Sequence, residues 1–286
     1  RIFVDAMLNA FIGYIRKESL FLPQQPVLLA VSGGMDSVVM TELFHRAGFQ
    51  FGVAHCNFAL RGEESDRDEH FVKELAAGYQ VPFYSISFST EDYARTHHLS
   101  VQMAARQLRY QWFGELLAGE HFDLVATAHH LDDQIETLLI NLSRGTGLDG
   151  LQGIRSKQGK TIRPMMFATR AMIEQYQQEH QLAFCPDSSN LSDHYTRNRI
   201  RHHILPVFET INPDFRNGLT QTAERLKEAG MIVREKIGEK KKLVCIEDPE
   251  GLSISIPELL KLTPVNAYLS EWLSPLVIPL ALLALA

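Results

Sequence analysis

The chain has 286 residues, of which 45% are hydrophobic and 22% are charged, and its formal net charge is -6 at pH 7. This is the composition of an ordinary globular protein that is long enough for one or two domains. The negative net charge excludes an overall positive field for nucleic acid. Basic residues nevertheless outnumber acidic ones between residues 197 and 242, which predicts either a local face for a phosphate backbone or a solvated helix surface.

The three cysteines, Cys56, Cys185 and Cys245, lie far apart in the sequence and form no C-x-x-C pair. Structural zinc and iron–sulfur sites need closely spaced ligands, and disulfide frameworks need several paired cysteines. We therefore expect none of these features within the chain.

The two ends of the sequence give no sign of export or of membrane insertion. Arg16 and Lys17 follow an amphipathic stretch instead of preceding an apolar core, so no signal peptide is predicted. The apolar segment 275–286 is too short to cross a bilayer and contains two prolines. We expect a cytoplasmic protein with no membrane partner.

Strand-like and helix-like segments alternate through the first two-thirds of the chain. Short apolar runs predict strands at 27–31, 49–55, 81–88 and 122–129. Helical spacing of apolar residues predicts helices at 36–47, 63–79, 101–118 and 132–143. Strands that are apolar along their whole length and separated by helices are typical of an α/β fold, a doubly wound parallel sheet covered on both faces.

The pattern changes after Gly153. A short segment at 161–166 precedes a helix at 172–180 and a polar stretch at 185–203, and residues 204 to about 244 have a helical pattern that breaks near Pro213. We therefore predict one domain over residues 1–215 and a smaller, mainly helical domain over residues 216–286.

The loop Ser32-Gly33-Gly34 follows the first predicted strand directly. In a doubly wound sheet, ligands bind beyond the carboxyl ends of the strands, and glycines and helix-start amides suit a phosphate there. No lysine follows the glycines, so this is not the P-loop of the GxxxxGK[ST] type. Asp36 could cap the next helix or contact Mg²⁺. A simple tight turn is the alternative, but the full string through Ser37 favours a nucleotide site.

The string SGGMDS resembles the pyrophosphate loop of the N-type ATP pyrophosphatases, the PP-loop superfamily. Its members cleave ATP to AMP and pyrophosphate while they adenylate a substrate. The resemblance implies that the loop binds ATP through Ser32, Gly33, Gly34, Met35, Asp36 and Ser37. It indicates the nucleotide chemistry but not the acceptor.

Four further stretches limit the choice of the substrate that is adenylated: residues 54–72, 105–113, 126–151 and 185–206. Together with the loop they resemble the tRNA(Ile)-lysidine synthetase family over residues 26–215. That resemblance implies ligation of L-lysine to C2 of the wobble cytidine of a tRNA(Ile) with a CAU anticodon. The reaction consumes ATP with Mg²⁺, passes through an adenylated cytidine, and gives lysidine, AMP and pyrophosphate. Residues 1–215 would then be the catalytic domain and residues 216–286 a tRNA-binding domain.

The same resemblance assigns roles to individual residues. His55 and Asn57 would contact adenine, Asp36 and Asp133 the metal, and Arg106 or Arg109 the developing phosphate charge. His129 or a nearby carboxylate would remove the proton from lysine. The tRNA would be contacted by Arg197, Arg199 and Arg201.

Several alternatives stay open at this point. The two helix arginines could form surface ion pairs, and His129, Asp132 and Asp133 could cap or begin a helix. Another PP-loop adenylating enzyme, such as a tRNA thiolase, or a non-catalytic ATP-binding module could carry the same loop. The absence of a cysteine pair disfavours sulfur transfer. The lysine-binding residues and the oligomeric state, with a homodimer as one option, are not predicted.

Overall fold

The computed structural model describes residues 2–186, 196–248 and 251–273. The chain divides into two units, Arg1–Gly145 with Gly153–Arg216 and Thr146–Gln152 with Asn217–Ala286. The catalytic and tRNA-binding roles expected for residues 1–215 and 216–286 stay predictions.

The first unit alternates strands and helices, as the sequence predicts. Its helices are α1 (Ile2–Lys17), α2 (Met35–Arg46), α3 (Glu63–Gly78), α4 (Thr90–Thr96), α5 (Val101–Gly119), α6 (Leu131–Arg144), α7 (Arg170–His180), α8 (Thr196–Arg199) and α9 (Leu205–Ile211). Its strands are β1 (Val27–Ala30), β2 (Phe51–Asn57), β3 (Phe83–Ser87), β4 (Leu124–Thr127), β5 (Lys157–Gln158) and β6 (Thr161–Ile162). A short π-helical turn, Ile200–Ile204, joins α8 to α9.

The six strands form one sheet in the order β3-β2-β1-β4-β6-β5. All neighbours pair in parallel except β5 and β6, which are antiparallel. The predicted doubly wound parallel sheet is therefore confirmed, and the sheet carries in addition an antiparallel edge strand, β5, that was not predicted. The chain passes from β1 through β2 to β3 on one side of the sheet and then continues from β4 to β5 and β6 on the other side. The switch point of the topology therefore lies between β1 and β4.

Side chains of β1 alternate between two apolar cores, one on each face of the sheet. Val27 and Leu29 are fully buried among residues of α1, α2 and α7. Leu28 is fully buried on the other face, against Trp112 and Phe113 of α5. A continuous apolar run is what a strand needs when helices cover both faces.

The second unit contains a long helix, α10 (Phe215–Val244), then a hairpin of β7 (Cys245–Asp248) and β8 (Gly251–Ile254), and α11 (Ile256–Leu259). Residues 265–273 are also helical. Its core includes Val244, Leu259 and Trp272. The predicted helical stretch with a break near Pro213 is confirmed, because Asn212, between α9 and α10, has extended backbone angles.

None of the helices in the described ranges is long and apolar enough to cross a membrane. The apolar segment 275–286 lies outside those ranges.

Candidate active site

The loops after β1 and β4 lie side by side because the two strands are parallel neighbours. Ala30, at the end of β1, pairs with Thr127, at the end of β4. The loop that contains Ser32–Ser37 therefore lies next to the turn that contains His129–Asp133, at the switch point where open α/β sheets bind ligands.

The glycine loop is held in a left-handed turn. Gly33 has φ +91°, a backbone conformation that side chains with a Cβ rarely adopt. Ser37 Oγ donates to the Gly34 carbonyl oxygen at 2.8 Å, and the Gly34 N–H donates to Ser32 Oγ at 3.3 Å. In the described chain no side chain caps α2 at Gly34. The first amides of α2 are therefore oriented toward the loop and suit an anion.

A second segment of chain supports this turn from behind. The Cys185 N–H donates to the Gly33 carbonyl oxygen at 2.9 Å. Burial, with a hydrogen bond to Asp68, raises the pKa of the Cys185 thiol to about 11. Cys185 is thus a protonated structural thiol and not a thiolate nucleophile.

A cavity of about 270 Å³ opens beside the loop. Its lining combines the loop, the end of β2 and the start of α6. The lining residues include Ser32, Gly34, Asp36, Ser37, Ala54, Cys56, Phe58, Arg109, Thr127, His129, Asp133 and Arg197. The lining thus combines small and apolar residues with charged ones.

Asp36 and Asp133, predicted to bind the metal, meet around one imidazole. Asp36 Oδ2 and Asp133 Oδ2 each lie 3.7 Å from His130 Nε2. Burial raises the pKa of Asp36, opposed by His130 and Arg170. Burial also acts to raise the pKa of Asp133, but His130 and His129 outweigh it, so its pKa lies below the usual value.

This pair of carboxylates fits Mg²⁺ that is shared with phosphates. Within the described ranges, no group of three or more His, Cys, Asp or Glu side chains could enclose a metal ion. Mg²⁺ in nucleotide enzymes commonly uses only one or two carboxylates and takes its other ligands from phosphates and water. Asp36 and Asp133 both line the cavity and supply that donor set.

The two helix arginines have different positions. Arg109 lines the cavity, and its guanidinium carbon lies 5.1 Å from the Phe58 ring centroid. Arg106 lies over Tyr110 at 4.9 Å and is not part of the cavity lining found among the described residues. Of the two, Arg109 is the one that lines the cavity, and its contact with phosphates stays a prediction.

The three arginines predicted to contact tRNA also differ. Arg197 lines the cavity, with Nη1 at 3.5 Å from Asp133 Oδ1. Arg201 makes two hydrogen bonds, of 2.6 and 3.1 Å, to the buried carboxylate of Glu136. Arg199 is exposed. Their tRNA contacts stay predictions, and the exposed Arg199 is the most available for one.

His55 and Asn57, predicted to contact adenine, do not line the cavity in the part of the chain that the structure describes. The cavity is lined instead by Ala54 and Cys56 of β2 and by Phe58, the residue after the strand. His55 Nδ1 donates to the Val31 carbonyl oxygen at 2.9 Å, and burial lowers its pKa. The Asn57 amide donates to Asp66 and Glu69. These two side chains have structural partners, while Ala54, Cys56 and Phe58 provide apolar lining of the cavity.

His129 accepts or donates a 2.9 Å hydrogen bond with Thr127 Oγ1. Burial is the main cause that lowers its pKa, to about 4. Its imidazole is therefore neutral at pH 7 and can accept a hydrogen bond in the cavity.

Sequence reasoning missed the basic partners of the site carboxylates. Arg170 Nη1 lies 2.8 Å from Asp36 Oδ1. Asp132 is buried, accepts a hydrogen bond from the Arg170 N–H at 2.7 Å, and forms an ion pair with Arg216. These partners are distant in the sequence and belong to no local motif, so no pattern could have identified them.

Comparisons with known proteins identify the family of the chain. Residues 7–208 match the model of the PP-loop domain family. The chain is 44% identical to a tRNA(Ile)-lysidine synthase of Bacteroides thetaiotaomicron and 42% identical to one of Parabacteroides distasonis, over 93% of this chain in both cases. It spans 61% and 60% of the length of these two relatives.

Among solved structures, the chain is similar in fold to the U34-tRNA thiolase NcsA from Methanococcus maripaludis. The TM-score is 0.64 at 18% identity, over 79% of this chain and 80% of that one. NMN synthetase from Francisella tularensis gives a TM-score of 0.50 at 12% identity, over 78% of this chain and 95% of that one. Identities this low show a shared fold alone.

Proposed function

The chain belongs to the PP-loop family, and on this premise we propose that it is an ATP-dependent, lysidine-forming ligase. It joins L-lysine to C2 of the wobble cytidine of a tRNA(Ile) with a CAU anticodon and releases AMP and pyrophosphate. The observation that carries the proposal is the meeting of the SGGMDS loop with the His129–Asp133 turn around one cavity. The identity to named lysidine synthases, 44% and 42%, supports this choice of acceptor.

The first step activates the base. The cytosine O2 attacks the α-phosphorus of ATP, an O–P bond forms, and the bond to pyrophosphate breaks. Amides of the Ser32–Ser37 loop would hold the leaving pyrophosphate, and Arg109 would stabilise charge on the phosphate oxygens. Asp36 and Asp133 would hold Mg²⁺, which when bound neutralises phosphate charge.

The second step forms the new C–N bond. The ε-amine of lysine attacks C2, the C2–O bond breaks, and AMP leaves with the former cytosine oxygen. The ε-ammonium must pass a proton to solvent before it attacks, and His129 is a neutral imidazole that lines the cavity and can accept a hydrogen bond from the amine. Since burial lowers its pKa to about 4, His129 is a weak base that orients the amine better than it retains a proton.

The target base must leave its stack in the anticodon loop, which costs little in a single-stranded loop. Arg199 and the basic residues of α10 would attract the RNA backbone. The reaction would take place in the cytoplasm, and size-exclusion chromatography would show whether the chain forms a homodimer.

A sulfur-transferring PP-loop enzyme has less support. Burial raises the pKa of the Cys56 thiol, which lines the cavity, to about 12. A thiol with so high a pKa is a poor nucleophile and a poor persulfide carrier at neutral pH. A non-catalytic ATP-binding module would bind ATP but release no pyrophosphate when lysine and tRNA are added.

The decisive assay incubates the chain with radiolabelled lysine and tRNA(Ile) with a CAU anticodon, with and without ATP. We expect label in the tRNA only with ATP, and loss of labelling in Asp36→Ala. Asp92→Ala is the matched control, because Asp92 is 73% exposed and pairs with Arg95 at the surface. Lack of labelling by a folded chain would contradict the proposal. Pyrophosphate release without lysine transfer would favour another acceptor.

A further inference from the structure

Arg170 is attached at three points beside the loop. Its Nη1 lies 2.8 Å from Asp36 Oδ1, and its Nε lies 2.7 Å from Glu174 Oε1. Its backbone N–H donates to Asp132 Oδ2 at 2.7 Å. The residue thus links the start of α7 to the loop after β1 and to the start of α6.

The local sequence explains why the guanidinium is oriented in this way. Thr169 Oγ1 caps α7 by accepting the Met172 N–H at 3.2 Å, so the helix begins at Arg170. Glu174 lies one turn later and faces Arg170 along the helix. Because Glu174 binds Nε, the guanidinium is oriented with Nη1 toward Asp36 before any ligand binds.

The pair is accessible to a ligand. The side chains of Arg170 and Asp36 are 39% and 31% exposed, and Asp36 lines the cavity. A ligand can therefore approach Asp36 and exchange partners with Arg170. A buried pair would not permit this exchange without a large rearrangement.

Asp36 presents an electrostatic problem for a phosphate site. Its carboxylate lies beside the amides that would bind the phosphates of ATP. The negative charges of the carboxylate and the phosphates would repel each other in a partly desolvated cavity. Bound Mg²⁺ would offset this repulsion, because its positive charge lies between the carboxylate and the phosphates. In the structure Arg170, a permanently charged group, lies 2.8 Å from Asp36 Oδ1, and the His130 imidazole lies 3.7 Å from Oδ2.

We propose that Arg170 is the resident counter-ion of Asp36: its guanidinium offsets the charge of Asp36 until Mg²⁺ and ATP arrive, and its Nη1 hydrogen bond then transfers from Asp36 to a phosphate oxygen. This inference rests on the proposed binding of ATP at the loop. It makes Arg170 a phosphate-site residue whose main effect is on how strongly ATP binding depends on the metal.

The consequence is measurable as a ratio of affinities. In the wild-type chain, metal-free ATP meets a neutralised Asp36. In Arg170→Ala it meets a carboxylate that keeps His130 Nε2 at 3.7 Å but has lost its guanidinium, so its affinity falls more than the affinity for ATP with Mg²⁺. The factor by which Mg²⁺ tightens ATP binding should rise on the order of tenfold, within the usual range of coupling between two ligands.

The experiment measures equilibrium binding of a fluorescent ATP analogue to the full chain, in Mg²⁺ or in a chelator, without tRNA or lysine. The variants are Arg170→Ala and Arg170→Lys. Asp36→Asn is made in the wild-type chain and in Arg170→Ala. Arg95→Ala is the matched control, because the Arg95 side chain is 77% exposed and forms an ion pair with the surface carboxylate of Asp92. Circular dichroism checks that each variant is folded.

We expect the Mg²⁺ effect to rise in Arg170→Ala and to stay near the wild-type value in Arg170→Lys and Arg95→Ala. In the Asp36→Asn background, removal of Arg170 should no longer change it, because there is no charge left to neutralise. Equal losses with and without Mg²⁺ would overturn the inference alone, as would an unchanged effect in both Arg170 variants. Failure of the folded wild-type chain to bind ATP at all would overturn the proposed function as well.

Discussion

Arg201 holds the carboxylate of Glu136 through two hydrogen bonds, of 2.6 and 3.1 Å. The Glu136 side chain is 0% exposed, while that of Arg201 is 35% exposed. Burial raises the pKa of Glu136, and Arg201 acts against that shift. A residue expected to contact tRNA therefore also stabilises a buried charge next to the candidate active site.

Arg201→Ala should lower the free energy of unfolding by about 2 kcal/mol, because two charge-assisted hydrogen bonds are lost while Arg197, whose Nε lies 3.4 Å from Glu136 Oε2, still compensates part of the buried charge. Urea denaturation measures this change. The matched control is Arg199→Ala, whose exposed side chain should alter stability by no more than about 0.5 kcal/mol. Equal stability of the two variants would show that the Glu136 pair contributes little.

Gly33→Ala should weaken ATP binding at least tenfold and cost about 1–2 kcal/mol of stability, because φ +91° strains a residue with a Cβ. Gly34→Ala is the comparison for stability. Gly34 has φ -70° and ψ 158°, which any residue adopts, so its stability should change little. Binding titrations and urea denaturation give both quantities. Normal ATP affinity in Gly33→Ala would argue against a phosphate at this turn.

Arg109→Ala should lower kcat for lysine incorporation about 100-fold, the usual effect of removing one charge-stabilising donor. Arg106→Ala should stay within about threefold of the wild type, as for a surface substitution. The reason is that Arg109 lines the cavity, while Arg106 packs over Tyr110. Steady-state kinetics with varied ATP tests the difference, and the opposite order would assign the phosphate contact to Arg106.

The free energy of unfolding should fall as the pH drops below about 6.5, in part because of His55. Burial lowers the pKa of this histidine in the folded chain below its usual value of 6.5, so the unfolded chain binds the proton first. Its stabilising effect is complete above pH 6.5 and is lost as the pH falls toward the lowered pKa. His55→Gln should flatten this pH dependence, whereas His70→Gln should not, because the His70 side chain is 73% exposed. Denaturation at several pH values distinguishes them.

The sheet and the loop were predictable because their signals are local. Each buried strand is a short apolar run, and SGGMDS is contiguous in the sequence. The short helix α4 and the hairpin of β7 and β8 were not predicted, since neither has a long periodic pattern.

The side-chain partners of the site were less predictable because they depend on tertiary contacts. Asp36 and Arg170 are 134 residues apart, and no local pattern connects them. Helix periodicity did not determine which of Arg106 and Arg109 faces the cavity. Alternation along β2 does separate His55 and Asn57 from Ala54, Cys56 and Phe58, but only the structure reveals which set lines the cavity.

The proposed function requires that the loop after β1 holds the pyrophosphate part of ATP. A crystal structure of the chain with Mg²⁺ and a non-hydrolysable ATP analogue would show where the triphosphate binds. We predict the β- and γ-phosphates within hydrogen-bond distance of the amides of residues 33–37, with the base against Ala54 and Phe58. A triphosphate bound elsewhere, with this loop empty, would rule out a pyrophosphate-binding role for Ser32–Ser37.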